Sequence, residues 1–132
     1  MLHNPYVAML AAALAAWIFG AVWYGALGKV WMRAQGIDPE TCKGKKMPLA
    51  PMAVSFASEV VMAFVMGGIL PFGEMTWTAG AGAGLLLGIG FMATSTLVNN
   101  MFQQRKPMLS VIDGAHWILV AAIEGAVLAA LS

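Results

Sequence analysis

The stretch from Leu109 to Leu131, LSVIDGAHWILVAAIEGAVLAAL, is apolar and long enough to cross a bilayer, yet it carries Asp113, His116 and Glu124. At 100° per residue, Asp113, Trp117, Val120 and Glu124 fall on one line, with His116 about 60° to one side. Ionisable groups on one face of a membrane helix avoid lipid, so this face must meet protein or water. A chain containing such a segment is expected to be an integral membrane protein with a polar seam.

The rest of the composition agrees. The chain has 132 residues, 61% hydrophobic and only 10% charged, where soluble domains run at about 25% charged. Four apolar segments, at about residues 5–27, 51–70, 79–98 and 109–131, take up most of the chain and leave no room for a second domain. The predicted fold is all-α: one domain of four transmembrane helices, up-down-up-down. A net charge of +1 gives no electrostatic footprint for nucleic acid. A single cysteine, Cys42, excludes an internal disulfide and a CxxC redox site. The N-terminal apolar run has no Lys or Arg before Lys29 and exceeds a typical signal-peptide core, so it reads as a retained first helix.

Pro5 suits the first turn of that helix, and Trp23, Tyr24 and Trp31 gather at its far end, where amphipathic aromatics favour a membrane interface. Residues 28–50 form the main polar loop, with five Lys or Arg residues and the acids Asp38 and Glu40. Such a loop serves as a topology signal and could contact anionic lipid headgroups. In the third segment Gly80, Gly84 and Gly88 recur at spacing four, a ridge that lets another backbone approach closely, within the bundle or between subunits. No strand precedes it and no Lys-Ser/Thr follows, so it is not a phosphate loop.

All seven Lys and Arg fall in residues 28–50 and 101–108, which four spans place on one side. The positive-inside rule then puts both basic loops in the cytoplasm and both termini outside. Counted at 1.5 Å per residue from that side, Glu59 lies roughly 12 Å deep, His116 roughly 10 Å and Asp113 roughly 6 Å. Glu59 and His116 therefore lie at similar depth and could face each other if the second and fourth helices are neighbours, with Asn99 and Asn100 in reach of Asp113 and with Glu124 as an outlying member. This cluster could be a proton or cation path, or polar glue for the bundle or for a homo-oligomer. One histidine with Asp and Glu is a thin donor set for a metal, and zinc sites carry more His or Cys. No nucleophile motif and no HExxH are present, and Ser55, Ser58 and Ser95 read as serines bonded to their own helices, so neither enzyme activity nor a cofactor is expected.

The segment WYGALGKVWMR, Trp23 to Arg33, resembles the signature of a bacterial membrane family known as domain of unknown function 1761. Its most specific elements here are Trp23, Tyr24, Lys29 and Trp31. The tail RKPMLSVIDGAHWILVAAIEGAVL is similar to that family's last helix, with Arg105, Pro107, Gly114 and His116 as looser matches. The resemblance covers nearly the whole chain and implies a four-helix protein of a bacterial inner membrane; it implies no activity. Two functions from different classes follow from the residues: a small oligomeric transporter or channel-like protein with Glu59 and His116 as titratable elements, or a non-catalytic membrane scaffold whose charges serve assembly.

Overall fold

The computed structural model describes residues 4–44 and 48–132, and its described residues form helices joined by short turns, with no strand. Four helices are long and apolar enough to span a membrane: α1 (Pro5–Ala34), α2 (Leu49–Ile69), α3 (Trp77–Phe102) and α4 (Pro107–Leu131). Two of the basic loop residues, Lys45 and Lys46, lie outside the described residues.

Local chemistry sets the ends. Asn4 caps α1 by accepting the Tyr6 amide at 3.0 Å, and Pro5 occupies the first turn, where its missing N–H costs nothing. α1 runs on to Ala34, past the expected end near Leu27. It stops where Gly36 takes φ +79, letting the Gly36 and Ile37 amides bond back to Arg33 and Met32. Thr76 caps α3 through the Ala79 amide at 3.2 Å. Midway along α3, Gly88–Ala93 widens into a π turn, just before Thr94 and Ser95 return their hydroxyls to the carbonyls of Gly90 and Phe91.

The helices alternate in direction. Trp17 of α1 donates to the Met52 carbonyl at 3.1 Å and stacks edge-on against Phe56, while Tyr6 meets Phe64, so α1 and α2 run antiparallel. Tyr24 meets Asp113 and Gly20 meets His116, which sets α4 antiparallel to α1. α4 is the central helix: it packs extensively against both α1 and α3, whereas α2 leans mainly on α1. Ala8, Met9, Ala12, Ala13, Ala63, Met66, Phe72, Leu128 and Ala129 form the apolar core at one end.

The glycine ridge belongs to this intramolecular packing. A Cβ on Gly80 would strike the Gly125 carbonyl, one on Gly84 the Ala121 carbonyl, and one on Gly88 would lie 2.7 Å from the Ile118 Cα. α4 answers with its own small stripe, Ala121, Gly125 and Ala129 at spacing four. The two backbones come close enough for dispersion contacts along the whole ridge, which is what holds helices together where lipid and side chain are equally apolar. Spent inside the chain, the ridge gives no support to a subunit contact.

Candidate functional site: a buried carboxyl pair and an aromatic clamp

The polar residues sort into three levels along α1. At the first, the end of α1 grips α4. The Tyr24 hydroxyl donates to Asp113 Oδ1 at 2.6 Å, and the Trp31 indole donates to the same oxygen at 3.1 Å. The Trp23 indole donates to the Ile112 carbonyl at 3.2 Å. The residues that read as interface aromatics are thus also hydrogen-bond donors to the polar start of α4. A half-buried indole or phenol needs an acceptor, and Asp113 supplies one oxygen to two of them. Lys29, from the same sequence signature, is exposed.

Asn99 and Asn100 do not join Asp113. The Asn100 amide donates to the Ser110 hydroxyl at 3.2 Å, and Asn99 is exposed. Both lie at the end of α3, and Asp113 takes its hydrogen bonds from Tyr24 and Trp31 of α1 instead.

At the second level His116, 4% exposed, sits in an aromatic box. Its ring stacks on Phe19 at 6.1 Å, tilts against Tyr24 at 4.8 Å and meets Trp117 edge-on at 4.7 Å. Gly20 forms the floor: a Cβ there would lie 3.0 Å from His116 Nε2. His116 therefore faces α1, and its Nδ1 is buried without a hydrogen-bond partner.

The third level holds Glu59 and Glu124, each fully buried. A Cβ on Gly67 would meet the ends of the Met9 and Leu128 side chains, so α1, α2 and α4 converge in the apolar core beyond this level. Tyr6 meets Phe64 and Tyr24 meets Asp113; five residues back along α2 from Phe64 and eleven on along α4 from Asp113 bring Glu59 level with Ala11 and Glu124 level with Ala13. All four carboxyl oxygens lack a hydrogen-bond partner. The facing wall of α1 is Ala12, Ala13 and Ala16, small residues that leave room for two carboxyls and offer them no side-chain donor.

Glu59 does not bond to His116: both of its oxygens are without a partner, and its level along the bundle is that of Glu124. Measuring depth from each helix's own start assumed that α2 and α4 begin at one height. They do not: Met52, in the first turn of α2, is level with Trp17, whereas Asp113, well inside α4, is level with Tyr24. α2 starts higher, so Glu59 passes His116 by roughly 15 Å along the axis and comes level with Glu124. The stripe Ala8, Ala12, Ala16 and Gly20 on α1 was a usable signal for this seam, since small residues at spacing four mark the line against which bulky polar groups can be buried.

Residues 7–129 match a family described as a protein of unknown function, DUF1761. The chain belongs to this family. No curated protein and no solved structure matches it. The family carries no assigned activity, so the chemistry of the site has to be argued from its own geometry.

Proposed function

We propose that this DUF1761 protein is a multi-pass protein of a bacterial inner membrane that moves protons, with Glu59 and Glu124 as the proton-carrying pair. The observation that carries this reading is the burial of two neighbouring carboxyls with no hydrogen bond to any of their four oxygens. Two bare carboxylates in a low-dielectric interior repel each other and lack solvation, so the pair must hold a neutralising cation. A proton suits the site best. Magnesium and calcium want six or more oxygens, and the wall of Ala12, Ala13 and Ala16 adds no side-chain ligand. Among the described residues no third His, Cys, Asp or Glu completes a metal set. A proton needs one oxygen and can pass between the two.

In this reading Asp113 and its aromatic donors hold α1 to α4, and His116 lies between the clamp and the pair, where its unpartnered ring nitrogen can relay protons from the side of the basic loops. The distribution of the seven Lys and Arg supports a cytoplasmic location for that side. A homo-oligomer completes the reading, because a pair sealed inside one four-helix chain needs neighbouring subunits or motion to open a path to the far side.

The test is proton flux into vesicles containing the purified protein, driven by a potassium diffusion potential and read with an entrapped pH dye. Wild type is expected to acidify the lumen faster than empty vesicles do. Glu59→Gln and Glu124→Gln are expected to fall to the empty-vesicle rate while keeping their shape. Flux in both variants equal to wild type would overturn the assignment.

A non-catalytic scaffold is the second reading, favoured by Asp113, whose carboxyl is engaged in holding helices together. There the Glu59–Glu124 proton is internal glue. The same Gln variants would then shift the assembly state in mild detergent, with no flux in any of the proteins.

A further inference from the structure

At the end of the bundle away from the carboxyl pair, a cavity of about 210 Å³ opens between the end of α1 and the α3–α4 turn, lined by residues 34–36 and 103–106. At about 30 Å³ per water, it has room for a tetrahedral anion and several further atoms. Its lining contains two cations, Arg105 and Lys106, and no acid. Gln35 also lines the cavity. α4 begins here: Lys106 is its N-cap, no side chain caps it, and the Met108 amide is free of a backbone acceptor, so a 25-residue helix presents its positive end.

The turn is held in place. Gln104 adopts φ +59, and the Arg105 amide bonds to the Asn100 carbonyl at 2.9 Å. Lys106 Nζ makes a long bond of 3.4 Å to the Arg33 carbonyl, tying the turn to the end of α1 with two ammonium hydrogens to spare. Beside this cationic mouth, large apolar side chains stand out from the bundle: Phe102 is 86% exposed, and Met101 and Met108 are at least half exposed. A basic recess next to outward-facing apolar side chains matches a molecule with a phosphate at one end and hydrocarbon at the other.

We infer that this recess binds a phosphate group, held by Arg105, Lys106 and the start of α4, and that the group belongs to an anionic phospholipid. The site is separate from the carboxyl pair and stands whether or not the protein moves protons.

The experiment is a thermal melt of the full chain in neutral detergent with phosphatidylglycerol, phosphatidylcholine or inorganic phosphate added. Phosphatidylglycerol is expected to raise the Tm in a dose-dependent way, and phosphatidylcholine to raise it much less. Arg105→Gln/Lys106→Gln, at exposed positions, is expected to fold normally and to need at least 20-fold more phosphatidylglycerol for the same shift, roughly fivefold for each cation removed. Lys43→Gln, an exposed lysine outside the cavity, is expected to respond as wild type. A shift produced fully by inorganic phosphate and lost in the double variant keeps the phosphate site but makes its ligand a free anion. Equal phosphatidylglycerol shifts in the double variant and wild type, or no shift in wild type, overturn the proposal.

Discussion

Gly84→Leu is expected to destabilise the protein by about 3 kcal/mol or more, the upper range for overpacking a tight contact. The collision is with backbone: a Cβ at Gly84 would strike the Ala121 carbonyl and come within 2.6 Å of the Ala121 carbonyl carbon. A side-chain neighbour could rotate away, but a helix backbone can yield only by moving the whole of α4 relative to α3. That motion would also break the reciprocal contacts of Gly80 with Gly125 and of Gly88 with Ile118. Gly82 and Gly90 supply the control, because a Cβ at either meets nothing within 4 Å. Gly82→Leu should be neutral or slightly stabilising, since leucine has the better helix propensity by about 0.5–1 kcal/mol. Unfolding of the three proteins in a denaturing-detergent titration checks this. Equal midpoints for Gly84→Leu and Gly82→Leu would mean that the close approach of α3 and α4 does not exist.

The second large effect is expected at Asp113. Asp113→Ala removes the acceptor shared by Tyr24 and Trp31 and leaves two half-buried donors without a partner, a loss of about 2–3 kcal/mol. Tyr24→Phe removes one donor and leaves Asp113 bonded to Trp31, so about 1 kcal/mol is expected. Asp113→Asn keeps an acceptor oxygen and should recover most of the loss. In a double-mutant cycle, Tyr24→Phe added to Asp113→Ala should cost little more than Asp113→Ala alone, because the two residues act through one bond. Full additivity would show that the clamp contributes nothing as a pair. Because the clamp lies beside His116, with the Tyr24 ring 4.8 Å from the imidazole, tryptophan fluorescence and histidine NMR signals should also move in Asp113→Ala.

These two predictions rest on different kinds of information. The Gly80–Gly84–Gly88 spacing is visible in the sequence and already says that a backbone comes close. Its partner is not visible, because small residues at spacing four also occur on α1 and α4, and the pattern does not state which ridges meet. The aromatic clamp shows the reverse. Trp23, Tyr24 and Trp31 are conspicuous in the sequence, but position near a helix end is explained equally well by a lipid interface. Only the approach of α4 distinguishes an anchor from a hydrogen-bond donor.

The chain by itself determined the four apolar helices, the near-absence of charge along them and the identity of the few residues that break this rule, because helix length, hydrophobicity and the cost of a buried charge are properties of each segment alone. It also determined the ends of several helices, through Asn4, Thr76 and Gly36. Tertiary structure decided which polar groups share a level. That depends on the relative heights of α2 and α4 against α1, set by where Trp17 finds the Met52 carbonyl and where Tyr24 finds Asp113. A shift of one helical turn is about 5.4 Å, enough to exchange one polar partner for another. No single segment encodes that shift, so the common level of Glu59 and Glu124, in place of Glu59 and His116, emerged only when the three helices were packed together.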